Sequence, residues 1–120
     1  MFEVEIYSDR RGCEPITELL RDLKERSKTS KEDKIRYEKI FTYIRLLEEH
    51  GTRAGLPYVK HIGDGIWELR PANDRILFFY FKDDKTFVLL HQFKKKTQKT
   101  PIKEINQAKR NMKDHIERSK

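Results

Sequence analysis

Two arginines, one histidine and a run of lysines are the residues here whose types and spacing could do chemistry. Arg70 closes one partly apolar segment and Arg75 opens the next. His91, Gln92 and Phe93 close a later apolar run, which passes directly into Lys94, Lys95 and Lys96, with Lys99 shortly after. Arginine grips phosphate with two parallel donors, and lysine acts as a point charge. Either stabilises the added negative charge of a five-coordinate phosphorane, where loss of one well-placed donor costs roughly 10²–10³ in rate. Histidine, with an unperturbed value of ~6.5, gives or takes a proton near neutrality. An unstacked base can lie on Phe93 or on an arginine plane. RNA carries its own nucleophile, the 2′-hydroxyl, so a set of this kind suffices for phosphodiester chemistry without a metal. Basic clusters that only bind phosphate are commoner than ones that cleave it, so the set alone points to a polyanion.

Elements along the whole chain must bring these residues together. Phe2, Val4 and Ile6 alternate with Glu3, Glu5 and Tyr7, the pattern of a half-buried strand. Pro15 suits a first helical turn, followed by Ile16, Leu19, Leu20 and Leu23 at helical spacing. Ser30 can cap a second helix carrying Tyr37, Ile40, Phe41, Ile44 and Leu47, which Gly51 would end. The short polar link between the two helices predicts an antiparallel hairpin. Beyond residue 55 the period becomes strand-like, with "YVKHI" and "IWELR" around the turn Gly63-Asp64-Gly65. "RILFFYF" reads as a central strand covered on both faces, and Asp83-Asp84-Lys85 as a tight connection to "TFVLLHQF". Thr100-Pro101 starts a last helix with Ile102, Ile105, Ala108, Met112 and Ile116 on one stripe. The expected order is β-α-α-β-β-β-α, an α+β fold whose antiparallel sheet of about four strands packs on an N-terminal helical hairpin, with a C-terminal helix. In such a meander Arg70, Arg75 and Lys94–Lys96 converge at one sheet end, with His91 and Phe93 just inside it.

The chain of 120 residues fits a single domain over residues 1–120. No apolar run approaches a bilayer span, and the start "MFEVEIYSDRR" has no signal-peptide character, so a cytoplasmic, membrane-free protein is expected. Cys13 is the one cysteine, which excludes an internal disulfide, and the four histidines are scattered, so neither a metal nor a cofactor is expected. The net charge of +7 is unevenly spread: residues 91–120 hold ten Lys and Arg against three Asp and Glu, and the rest of the chain balances. Such asymmetry favours a polyanionic partner, nucleic acid first.

"IWELRPANDRILFFYF", "FVLLHQFKKKTQKTP" and "EINQAKRNMKD" together resemble the RelE/ParE toxin superfamily, and more closely its HigB-type, phage-related branch. The resemblance implies a toxin of a type II toxin–antitoxin pair that cuts mRNA on the ribosome by 2′-hydroxyl attack. Its implied partners are a helix-turn-helix antitoxin (HigA-like), the ribosome and mRNA, with operator DNA reached only through the antitoxin. It implies that Arg75 grips the scissile phosphate, that Arg70 holds an adjacent one, and that one of Lys94, Lys95 and Lys96 stabilises the transition state or protonates the leaving oxygen. Where other members place lysines before the first arginine, this chain has Trp67 and Glu68, and it lacks a tyrosine near the last helix. The general base is therefore open: His91 is the most economical choice, with Tyr80 or Glu68 behind it. Lys60 and His61 are expected on a loop facing the ribosome, and Phe93 and Lys99 beside the RNA. Two other readings share these residues: a ParE-like toxin that binds gyrase and cuts nothing, and a non-catalytic nucleic-acid-binding module.

Overall fold

Local sequence signals set the ends of the helices in the computed structural model, which describes residues 1–82 and 85–120. Helix α1 (Pro15–Arg26) begins on its proline, whose fixed φ and missing N–H suit a first turn. Helix α2 (Lys31–His50) is capped by Ser30, whose hydroxyl accepts the Asp33 N–H at 3.2 Å. It stops at Gly51, where φ is +59° and a Cβ would meet the Phe2 ring at 2.8 Å. A 3-10 turn (Gly51–Ala54) leads into the strands. Strand β1 (Glu3–Ile6) precedes the helices; β2 (Val59–Gly63), β3 (Ile66–Leu69), β4 (Asp74–Phe81) and β5 (Thr86–Lys94) follow them, and α3 (Ile102–Arg118) is last. Asp83 and Asp84 of the expected tight connection lie outside the described residues.

The sheet corrects the expected one. Among the described residues it has five strands in the order β1-β5-β4-β3-β2, and β1 runs parallel to β5 while the other neighbours are antiparallel. "YVKHI" and "IWELR" are separate strands, which adds one to the expected count. Parallel pairing needs a long crossover. Everything from α1 to β4 supplies it, and no pattern local to β1 encodes it. Helices α1 and α2 cover one face, over Leu69, Ile76, Phe78, Phe87 and Leu89. Helix α3 covers the other, over Ile66, Leu77, Phe79, Val88 and Leu90. β4 is buried on both faces, as its unbroken apolar run requires.

The far end of α3 is fastened to the strand β1 side by one carboxylate. Asp114 accepts hydrogen bonds from the Tyr7 hydroxyl at 2.6 Å, Arg10 Nε at 3.0 Å and Arg118 Nε at 3.1 Å. These donors, Tyr7 first, hold the Asp114 carboxyl well below the usual carboxylate range, while burial and Asp114 push the Tyr7 hydroxyl up to about 12. A carboxyl whose folded-state pKa is depressed stabilises the fold fully above its unfolded value of ~3.9 and loses that contribution as pH falls toward the folded value. Thermal melts of Asp114→Asn should therefore lie below wild type at pH 7, with the gap closing as pH is lowered beneath 4. A pH-independent gap would show that the ionised form is not what matters.

Candidate nucleic-acid interface

A β-bulge decides which side chains meet at the end of the sheet. Leu77 pairs with His91, but the next residue, Phe78, pairs with Leu89, so Leu90 is an extra residue in β5. The phase of alternation shifts there. Leu90 and His91 consequently both face α3, and Phe93 follows on that face opposite Arg75. Without the bulge, His91 and Phe93 would point toward the helical hairpin. Gln92 and Lys94 take that other face, beside Asp74.

Glu68 is the centre of the arrangement on the α3 face. It is 2 % exposed. Its Oε2 accepts the Thr100 hydroxyl at 2.6 Å, and its Oε1 lies 3.4 Å from Arg70 Nε and 3.9 Å from Arg75 Nε. The last helix starts at Thr100-Pro101 as expected, with Pro101 as the capping residue, and the Thr100 hydroxyl is committed to Glu68. Arg75 Nη1 also donates to the carbonyls of Ala72 at 2.7 Å and Asp74 at 2.8 Å. Burial, and next the charge of Arg70, push the Arg75 guanidinium below its ordinary value. The two guanidinium groups thus share one carboxylate, and one positive charge is left over. Arg70 Nε is buried with no hydrogen-bond partner among the described residues.

Behind this face, a second buried carboxylate fixes the start of β4. Asp74 accepts from Arg36 Nε and Nη2, both at 2.8 Å, and from Gln92 Nε2 at 2.8 Å. Asp74 holds the Arg36 guanidinium above its ordinary value. Arg75 is therefore anchored on both sides of the sheet.

His91 lies beside the arginine pair rather than in it. Its Nε2 is 2.8 Å from Glu104 Oε1 in the first turn of α3, and its ring lies nearly parallel to Phe93 at 6.2 Å. The lysine run divides. β5 ends at Lys94, the Lys95 N–H donates to the Asn73 carbonyl at 2.7 Å, and Lys94 and Lys96 line a groove of about 290 Å³ with Phe93, Pro101, Lys103 and Glu104. Lys99 is exposed in the connection to α3. Lys60 and His61 stand on β2, not on a loop. Lys60 pairs with Glu68, and so shares the arginine face. His61 takes the opposite face and packs on the Trp67 ring at 4.7 Å. Tyr80 is removed from the site: it shares a hydrogen bond with Thr52 at 2.7 Å. Five residues along β4 put it about 17 Å from Arg75. Sequence reasoning missed Glu104, Lys103 and Arg36. Glu104 sits in the first turn of an anticipated helix just beyond His91, which was a usable signal. Arg36 carried none.

The profile of the family described as "Phage derived protein Gp49-like (DUF891)" matches residues 21–113, most of the chain and every site residue named above. The chain belongs to the phage-derived Gp49-like family. No curated protein matches it. The Gp49-like family is known as a toxin module of toxin–antitoxin systems, often with RNase activity, and the antitoxin is the partner such a module calls for. No helix among the described residues of this Gp49-like chain is long and apolar enough to cross a membrane.

Glu68→Ala removes the shared anion and leaves two crowded cations. Breaking a buried charged group by deleting one partner costs about 3–5 kcal/mol, and the lower end, ~3 kcal/mol, is expected here because the Arg70 side chain is 23 % exposed. Urea denaturation measures this loss. A variant as stable as wild type would show that the arginines do not depend on Glu68.

Proposed function

We propose that this Gp49-like chain is an endoribonuclease toxin that cuts mRNA on the ribosome, without a metal, by attack of the 2′-hydroxyl on the adjacent phosphate. The observation that carries the reading is the pair Arg70–Arg75 on one buried carboxylate, with an imidazole–carboxylate pair on the same sheet face. In this reading His91, oriented by Glu104, takes the 2′-hydroxyl proton. The 2′-oxygen bonds to phosphorus, the bond to the 5′-oxygen breaks, and a 2′,3′-cyclic phosphate and a 5′-hydroxyl result. Arg75 and Arg70 meet the charge of the phosphorane, in a site already built to surround an anion. An ammonium of the Lys94–Lys96 run gives its proton to the leaving 5′-oxygen and later regains one from solvent, while the proton taken by His91 is returned to water. Phe93 offers a surface on which a splayed base can stack. Lys60 and Lys99 contact RNA or the ribosome further out, whereas His61, turned to the other face, drops from the set in contact with the cut RNA. A helix-turn-helix antitoxin would silence the toxin and carry it to operator DNA.

The hydrogen bonds from Arg75 to the Ala72 and Asp74 carbonyls favour a second reading, in which Arg75 is architectural and the toxin binds gyrase without cutting. Primer extension on translated mRNA separates the two. Arg75→Ala should reduce cleavage about 10²–10³-fold, the cost of removing one such donor, and abolish growth arrest while the circular dichroism spectrum is kept. Full cleavage by a folded Arg75→Ala variant would contradict the assignment, and uncut mRNA together with gyrase inhibition by the wild-type chain would establish the second reading. Lys94, Lys95 and Lys96 changed together to Ala should weaken RNA binding. Unchanged binding would make the run a solvated surface only.

A further inference from the structure

Arg10 and Arg11 lie far in sequence from the basic last quarter, yet the fold sets them against it. The loop after β1 and the outer side of α3 enclose a hollow of about 330 Å³ that reaches Arg10, Arg11 and Arg110. A neighbouring hollow of about 300 Å³ reaches His91 and Gln92. The two share Tyr7, Asp9, Gln107 and Asn111, so they form one trough that starts at His91 and ends among guanidinium groups.

The walls of this trough are built by hydrogen bonds. Asn111 Nδ2 donates to the Leu90 carbonyl, beside the bulge, at 2.8 Å; Gln107 Nε2 donates to Asn111 Oδ1 at 2.9 Å; Arg110 Nη2 donates to Gln107 Oε1 at 2.7 Å. This relay aims Arg110 over the trough and ties it to the same bulge that turns His91 toward α3. On the opposite wall, Asp9 Oδ1 accepts the N–H groups of Arg11 and Cys13 at 2.8 and 2.9 Å, which folds the loop that presents Arg10 and Arg11. The two acids of the trough are thus already engaged: Asp9 by backbone, and Asp114 by Tyr7, Arg10 and Arg118. Positive charge is in excess, and two side-chain amides lie between the cations and His91.

We infer that the trough is a second RNA track, which takes the phosphates of the single strand running on from the bond presented to His91. The inference rests on the nuclease reading of the Arg70–Arg75 end. Guanidinium groups suit phosphate, and the Gln107–Asn111 amides suit base edges. Messenger and ribosomal RNA present the same backbone, so both are probed.

The test changes Arg10, Arg11 and Arg110 together to Ala in the full chain. The probes are a fluorescein-labelled, 2′-O-methylated single strand long enough to run from Arg75 to Arg110, and empty ribosomes. Each single-strand phosphate contact contributes about −0.7 to the log–log salt slope and about fivefold in affinity at 0.1 M salt, so losing three contacts should weaken binding about 100-fold and flatten the slope by about 2. All three side chains are exposed, so melting should fall no further than in Arg10→Ala alone, which loses the Arg10–Asp114 pair, and the corresponding triple Lys variant should keep the slope. Loss on the labelled strand is the expected result, and loss on ribosomes alone overturns it by giving the surface to ribosomal RNA. Unchanged affinity and slope on both probes overturns the track. So does loss of antitoxin binding with both RNA probes still bound, which would give this surface to a protein partner. Should the wild-type chain cut no RNA while the triple Ala variant loses strand binding, the nuclease reading fails and the track stands. Cleavage with unchanged binding is the reverse.

Discussion

A carboxylate with almost no access to water holds the business end of this molecule together. Taking Glu68 out of solvent costs several kcal/mol unless its charge and lone pairs are matched. The matching groups come from three separate places: Arg70 after β3, Arg75 in β4 and Thr100 before α3. Satisfying one buried anion therefore gathers two guanidinium groups and sets where α3 begins. That helix start in turn brings Glu104 to His91. The interaction that completes the fold at this end is the one that assembles the cations.

The result is a site organised before any ligand arrives. Asp74, held by Arg36 and Gln92, restrains the beginning of β4 from the hairpin side, while Glu68 restrains Arg75 from the α3 side. Donors that need little reorganisation stabilise developing charge better than mobile ones. The arrangement is also unsaturated, because one carboxylate serves two arginines. That leftover charge is what the proposed phosphodiester ligand would meet.

What could be read in the sequence was what short-range patterns encode. Pro15, Ser30 and Gly51 mark helix ends by their own backbone chemistry, and the apolar stripes of α1 and α2 and the double-faced run of β4 announce their burial. The meeting of Arg70 with Arg75 followed from a simple antiparallel meander, whereas the lysines expected to join them divide between the faces at the end of β5. What escaped was set by distant partners. The parallel pairing of β1 with β5 depends on a crossover that most of the chain supplies. The extra residue at Leu90 reverses the facing of everything after it, and its freed carbonyl is met by Asn111 from a helix still to come. Thr100-Pro101 announced the start of α3, but nothing nearby announced that a buried carboxylate 32 positions away takes the Thr100 hydroxyl. Lys60 and His61 looked like loop residues because β2 is short and polar at its exposed edge.

The most direct measurement is a structure of the chain bound to an RNA strand whose scissile 2′-hydroxyl is methylated. The account predicts Arg75 and Arg70 within about 2.7–2.9 Å of the non-bridging oxygens of that phosphate, with His91 facing the blocked 2′-oxygen. A strand bound elsewhere, with Arg75 still closed on the Ala72 and Asp74 carbonyls, would contradict it.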